Sequence, residues 1–406
     1  MDGLISAAAR ALAAGAPLAA LNYVSLRDDA SALALRGIAM AQLGDFSRAT
    51  ALVRRAARAF GPKDAVARAK CVVAEAEIAL ASRELNWPAQ ALEAARATME
   101  ACCDWPNAVH ARQLEVRRLL LIGRLDEAER MLATMDPRML PSALQAVHEL
   151  IAAGIAMRRL QAEAARAALD RGGRWAKAAG IPALVQEVEQ ARRALALPAA
   201  RLRARGQERP LLLDEVEALL VSRSLVVDAC RHGVRQAGAQ IPLATRPVLF
   251  TLARLLAEAW PDDVARTALI AQAFRTRRPD ESHRARLRVE IGRLRKALAP
   301  LAAIAATRQG FRLEPLGASE VVVLARPVDT PHASLLALLA DGESWSSSAL
   351  ALALGASQRT VQRGLDALAA AGKVESVGRG RARRWMTSPV PGFATSLLLP
   401  VPFAVG

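Results

Sequence analysis

Basic side chains at helical spacing carry the clearest chemistry in this chain. Between Ser282 and Leu298 the apolar residues Leu287, Ile291, Leu294 and Leu298 recur on one face of a helix, while Arg284, Arg288, Arg293, Arg295 and Lys296 take up the remaining surface. His283 opens the same run, placed to touch phosphate or solvent rather than to move protons. From Arg275 to Leu298 nine basic residues face three acidic ones, Asp280, Glu281 and Glu290, a net charge of +6. That clustering suits a polyanion, because each neutralised phosphate releases condensed counterions. Arg293, Arg295 and Lys296 sit in the last turns, where cations also favour the helix dipole, so Arg284 and Arg288 are the stronger contact candidates. The run Ile304 to Pro315 alternates apolar positions around Gly310, the pattern of a short β-hairpin with Arg308 near its tip.

A second basic set follows. Ser346 and Ser357 suit helix N-caps, and Gly355-Ala356 suits the turn between two short helices. On the second of these, Val361, Leu365 and Leu368 form the inward stripe. That leaves Gln358, Arg359, Gln362 and Arg363 outward near the N-terminal end, where recognition helices meet base edges. Gly372 ends the helix, and Lys373–Val377 can pair with Arg383–Met386 around Gly378–Arg381, giving a hairpin with Arg379, Arg381 and Arg383. Bond-making chemistry has little to work with. His110, His148, His232, His283 and His332 are scattered, and no phosphate-binding Walker loop, HExxH, GxSxG or paired-carboxylate spacing stands in a convincing setting. Cys71, Cys102, Cys103 and Cys230 have neither CxxC spacing nor a histidine to complete a metal site, so no disulfide framework, zinc or other cofactor is expected.

The elements that must position these residues carry a resemblance. Leu287-Arg-Val-Glu-Ile-Gly-Arg-Leu-Arg-Lys-Ala-Leu298 resembles the recognition helix of the OmpR/PhoB-type winged-helix DNA-binding domain, and Arg308-Gln-Gly-Phe-Arg-Leu-Glu-Pro315 resembles its wing. Leu225–Asp228 and Ala239–Leu243 are similar to its leading strands, Thr245–Trp260 to its first helix and Asp262–Phe274 to its second. The resemblance implies a winged helix over 225–315 that reads duplex DNA. Two residues depart from it: Glu290 stands where the family often has a polar or basic residue, and Gly292 interrupts the helix at a cost of about 1 kcal/mol relative to Ala. The segment 333–388 resembles a generic winged helix-turn-helix of the MarR/GntR-like sort, with Trp345 and Trp385 packed inside it. In the OmpR/PhoB-like family a receiver domain normally precedes the DNA-binding domain. Its alternating β/α pattern with acidic strand ends is missing here, so phosphorelay control is not implied.

Residues 1–200 read as a tetratricopeptide-like helical solenoid. Joints at Leu43–Phe46, Glu84–Trp87, Ile122–Leu125 and Arg158–Leu160 each end one Ala/Leu helix and open another, with small residues following at Ala49, Ala91, Ala128 and Ala164. Gly-Asp-Phe-Ser-Arg-Ala49 and Gly-Arg-Leu-Asp-Glu-Ala128 resemble the turn and second-helix start of such repeats. A plain helical bundle is the alternative; either way Trp87, Trp105 and Trp175 are expected as core anchors, and the arm should bind a protein, a peptide or a second copy of the chain. Residues 201–224 and 316–332 read as linkers on their Pro, Gly and Arg content, and the apolar, proline-broken tail 389–406 as a strap.

The whole is expected to be mainly α, a solenoid followed by two winged-helix domains. With 406 residues, 53% hydrophobic and 3% aromatic, it has ordinary cores packed by Ala, Leu and Val. The formal charge of +16 points to a polyanion, though the excess is nearly all arginine and an Ala/Arg compositional bias would produce it too. No apolar run reaches the roughly 18 residues of a membrane-spanning helix, and Met1-Asp2-Gly3 lacks a basic leader, so a cytoplasmic, nucleoid-associated bacterial regulator is expected. Its partner would be double-stranded DNA, with no enzyme activity. An interaction scaffold whose winged helices mediate assembly stays open as the alternative; RNA is weaker, because few aromatic residues are on hand to stack bases.

Overall fold

The computed structural model of the chain describes residues 2–85, 89–274, 276, 278, 280–326, 332–339, 344–378, 380 and 383–386. The fold is mainly α: eighteen α-helices and eleven short strands appear among these residues. The first eleven helices follow one another without a strand. They are α1 (Gly3–Ala13), α2 (Pro17–Val24), α3 (Ala30–Gln42), α4 (Phe46–Ala59), α5 (Ala65–Ala81), α6 (Ala89–Ala101), α7 (Trp105–Leu121), α8 (Leu125–Ala133), α9 (Ser142–Arg159), α10 (Ala162–Ala179) and α11 (Pro182–Leu195). A mixed segment follows: β1 (Ala200–Ala204), β2 (Gln207–Leu211), α12 (Leu213–Val221), β3 (Leu225–Asp228), β4 (Gly233–Gln236), β5 (Ala239–Pro242), α13 (Pro247–Ala259), β6 (Val264–Ala265), α14 (Arg266–Phe274), α15 (Glu281–Leu298), β7 (Ala302–Ala306), β8 (Gly310–Pro315) and β9 (Val321–Ala325). The last elements are α16 (Ala333–Leu339), α17 (Ser347–Leu354), α18 (Gln358–Ala370), β10 (Glu375–Val377) and β11 (Arg384–Met386).

Two compact units emerge, and their boundary is not the expected one. One unit takes the described residues of Met1–Arg159, Glu163–Ala194 and Pro331–Gly406; the other takes Leu160–Ala162 and Leu195–Thr330.

In the first unit the helices form consecutive pairs. The first and third expected joints pass through a left-handed glycine, Gly44 (φ +85°) and Gly123 (φ +78°), and the chain takes the same conformation at Arg83 (φ 54°) just before the second, closing one helix before the next begins. Asp45 then caps α4 by accepting from the Arg48 amide at 3.1 Å. Gly37 lets α3 approach α4, since a Cβ there would lie 2.6 Å from Val53 Cγ2. Ala49 and Ala128 are buried after their joints, but at the fourth joint Ala165 is buried and Ala164 exposed, a one-residue shift of the inward face. Trp105 is 58% exposed and Trp175 38%, so neither is a core anchor; Trp87 lies outside the described residues.

The second three-helix segment is not an isolated domain. One cluster of buried side chains runs from Val73, Leu80 and Leu85 through Leu92, Met99 and Leu114 to Leu339, Trp345, Leu350, Leu365 and Trp385. Trp345 and Trp385 therefore pack in a core shared with α5–α7 rather than one confined to 333–388. Arg384 pairs with Glu84 and the Arg83 guanidinium lies 5.6 Å from the Trp345 ring, which adds polar ties around the same seam.

The second unit overturns both linker expectations. Residues 200–211 fold as the hairpin β1–β2 and 321–325 as β9, all within a six-stranded sheet of order β2-β1-β9-β3-β4-β5, while 213–221 form the helix α12. Every neighbouring pair is antiparallel except β3 and β9. The central strands β3 and β9 are buried on both faces: Leu225, Val227, Val321 and Val323 join the core of α13–α15, while Val226, Val322 and Leu324 pack with Leu211 and Val216 beneath α12. Two-sided burial explains why Val321–Ala325 is continuously apolar instead of alternating. A separate three-stranded sheet, β6-β8-β7, flanks the helices.

Candidate nucleic-acid interface

Helix α15 begins where Asp280 caps it. The carboxylate accepts from the His283 amide at 3.0 Å, from Ser282 Oγ at 2.6 Å and from His283 Nδ1 at 2.6 Å. These bonds hold its pKa well below the usual carboxylate range, the serine hydroxyl contributing most. His283 is thereby fixed as part of the cap and leans on Phe274, ring centroids 6.2 Å apart. Leu287, Ile291, Leu294 and Leu298 are all buried in the core, which fixes the rotation of the helix about its axis.

That rotation leaves Arg284, Arg288, Arg293 and Lys296 exposed. Glu281 sits 3.2 Å from both Arg284 and Arg288, and Glu290 lies 2.8 Å from Arg293. The two Glu281 pairs are exposed on both sides and contribute roughly 0.2–1 kcal/mol each, whereas Glu290 is largely buried. A phosphate oxygen can replace the Glu281 carboxylate at small cost. Val289, 53% exposed, adds an apolar spot on the same helix. Arg295, also exposed, donates through its Nε to Ile304 O at 2.8 Å and its guanidinium lies 5.8 Å from the Phe311 ring, which ties α15 to the hairpin.

The hairpin β7–β8 pairs from Ala302↔Pro315 to Ala306↔Phe311 and exposes Arg308 at its tip. Arg266, the first residue of α14, holds that tip by donating to Arg308 O and Thr307 O, both at 3.0 Å, and lies 5.3 Å from the Phe311 ring. Sequence reasoning missed Arg266, because nothing local marks a bond to carbonyls 41 and 42 residues away. Arg286, likewise unmarked, stacks 4.5 Å from the Phe274 ring.

In the first unit α17 and α18 start at the expected caps: Ser346 Oγ accepts from the Ala349 amide and Ser357 Oγ from the Thr360 amide. Gly355 makes the turn at φ +60°. Arg359 and Arg363 are exposed on α18. Gln358 is tied to Ser347 Oγ at 3.1 Å and Gln362 to Asp366 at 2.9 Å, so both amides are engaged within their own segment. Arg383, half-buried, stacks on Trp385, 4.2 Å from the ring centroid. Strands β10 and β11 pair as expected, from Glu375↔Met386 to Val377↔Arg384; Arg379, Arg381 and the tail 389–406 lie outside the described residues.

Other chemistry has weak footing among the described residues. No group of three His, Cys, Asp or Glu is arranged to hold a metal ion, and no helix is long and apolar enough to cross a membrane. Burial pushes the Cys71 thiol up to about 12 and Cys230 up to about 11, which keeps both protonated and poor nucleophiles. The buried pair His110–Glu77, 3.1 Å apart, bridges α7 and α5 inside the helical array. Compared with known proteins, the chain matches no family model, and no curated protein or solved structure matches it significantly.

Proposed function

We propose that the chain is a DNA-binding transcriptional regulator in which α15 enters the major groove and the β7–β8 hairpin reaches the flanking backbone. The order α13, α14, α15 and hairpin supports the winged-helix reading of 225–315, and α16–α18 with β10–β11 repeats that order. The paired helices α3–α10 support a tetratricopeptide-like arm for a protein, a peptide or a second copy, and a duplex partner would place the protein at the nucleoid.

The observation that carries the proposal is that Arg284, Arg288, Arg293 and Lys296 are exposed on a helix whose apolar face is locked in the core, with Arg308 exposed at the tip of the hairpin that follows. Arg284 and Arg288 would set register on the phosphate backbone and Val289 would meet a base edge, where an apolar side chain suits the thymine methyl. The test is duplex affinity against salt. Replacing Arg284 and Arg288 together by Ala should weaken binding and lower the slope of log K against log salt by about 2; unchanged affinity and slope would overturn the assignment.

A second reading attaches to α16–α18 alone. The core shared with α5–α7, and the internal engagement of Gln358, Gln362 and Arg383, favour a protein-interaction scaffold role for this segment. The paired change Arg359→Ala and Arg363→Ala in the same assay separates the two: a second reading head loses affinity, a scaffold does not.

A further inference from the structure

The helical array opens on a pair that carries almost no charge. Residues 3–26, which hold α1 and α2, contain one charged residue, Arg10, in a chain that is 23% charged. The inward face of α2 is Ala20 and Val24, both buried in the core with α1, α3 and α4. Its outward face is apolar as well. Leu18 is 66% exposed and Leu26, in the turn that follows the helix, 99%, with Ala19, Asn22 and the chain's one tyrosine, Tyr23, exposed between them. The charges that follow in sequence are answered within the chain, Arg27 by Asp2 and Asp29, and Asp28 by Arg36 and Arg55. An end pair in a stack of helical pairs normally turns a polar face to water, because nothing stacks beyond it. Here it turns out an uncharged stripe bearing leucines, the kind of surface that marks a contact with another protein.

We propose that this stripe is the contact with a second copy of the chain, formed by two α2 helices packed antiparallel about a twofold axis at Asn22. The spacing selects a second copy. Leu18, Asn22 and Leu26 recur every fourth residue, which puts them along one side of the helix in a pattern that reads the same in both directions from Asn22. A twofold contact asks for that symmetry, since each patch must be its own complement. Rotation about Asn22 sets Leu18 of one copy against Leu26 of the other, twice, and brings the two Asn22 amides together, the device by which a lone asparagine fixes register between paired apolar helices. Charge points the same way. Two copies of a chain with a formal charge of +16 repel, and this stripe is a surface on which they meet without opposing like charges. Helix α2 is eight residues long, so the contact belongs with the small interfaces below about 1,200 Å², and the dimer should be weak and concentration-dependent. The inference rests on the paired helices of the arm and specifies its partner; it does not depend on duplex binding.

Sedimentation equilibrium of the full-length chain over a concentration series tests the proposal. Wild type should pass from monomer to dimer, and the dimer should tighten as salt rises, because screening relieves the repulsion between copies and an apolar contact has no ion pairs to lose. Leu18→Glu together with Leu26→Glu should weaken dimerisation at least tenfold and leave the thermal unfolding midpoint unchanged, since both side chains are exposed. Cross-linking reads the symmetry separately. In a background of Cys102→Ser and Cys103→Ser, which removes the exposed thiols, Asn22→Cys should give a disulfide-linked dimer under a mild oxidant, because the axis places this position against itself. Leu43→Cys, exposed on the turn between α3 and α4, should not. A wild type that stays monomeric at every concentration, a dimer that survives the two Glu substitutions, or cross-linking at Leu43→Cys as readily as at Asn22→Cys would each overturn the proposal.

Discussion

Asp280 decides where α15 starts, and its chemistry makes that start sensitive to acid. Bonds from Ser282 and His283 favour the ionised carboxylate and lower its pKa in the folded state. A depressed carboxylate stabilises the fold above its unfolded pKa of about 4, and that contribution is lost as pH falls from there toward the folded value. Urea midpoints at pH 5 and pH 3 should therefore differ more in wild type than in Asp280→Asn, whose amide still caps but does not titrate; an equal difference would show that the cap does not couple to pH. Gly292 makes the opposite kind of residue-scale point. Nothing lies within 4 Å of a Cβ built there, and α15 runs through it unbroken, so its cost is backbone entropy alone. Gly292→Ala should stabilise the chain by about 0.5–1 kcal/mol in the same denaturation experiment.

Gly310 looks like Gly292 in the sequence and behaves oppositely, for a reason that belongs to the elements. A Cβ on Gly310 would lie 1.7 Å from Val264 O, because β6 pairs closely against β8 at that point. Gly310→Ala should part the two strands and cost about 1–3 kcal/mol, with loss of hydrogen-exchange protection across the hairpin as the check. What could be read in advance follows the same division between local and distant. The stripe Leu287, Ile291, Leu294 and Leu298, the caps at Ser346 and Ser357 and the hairpin around Arg308 are local patterns, and each stood where its residues put it. Strand β9 reads as linker in the sequence because its partners are far away along the chain, Arg201–Arg203 on one side and Leu225–Asp228 on the other. Hairpin β1–β2 hid behind its charges: Arg201 and Arg203 share one face and pair across the hairpin with Glu208, so a run that looked like a solvated break is a cross-strand ion-pair ladder. The candidate contacts diverged in the same way, because residue type gives a guanidinium its chemistry while only the fold decides whether Arg295 reaches Ile304 O or Arg383 reaches the face of Trp385.

At the scale of the molecule the consequential feature is that α16–α18 share a core with α5–α7. An independent winged domain on a linker would keep its own tryptophans and leave the helical array unaffected by their loss. Here Trp345 and Trp385 are 0% and 1% exposed within one cluster that includes Val73, Leu80, Met99 and Leu114, so the array and the C-terminal helices should gain and lose stability together. Trp385→Ala removes a large buried side chain and should cost about 3–5 kcal/mol. Hydrogen exchange reads whether that cost is shared: protection should fall in α5–α7 as well as in α17 and α18, with the hairpin β7–β8 of the other unit as the reference. Loss confined to α16–α18 would mean that the cluster is not cooperative and that these helices open as a separate module. Coupled loss would mean that α5–α7 and α16–α18 are one folding unit, so that a ligand bound to either set, as proposed above, acts on both. In that case occupancy of the arm could bias the C-terminal helices without any further joint between them.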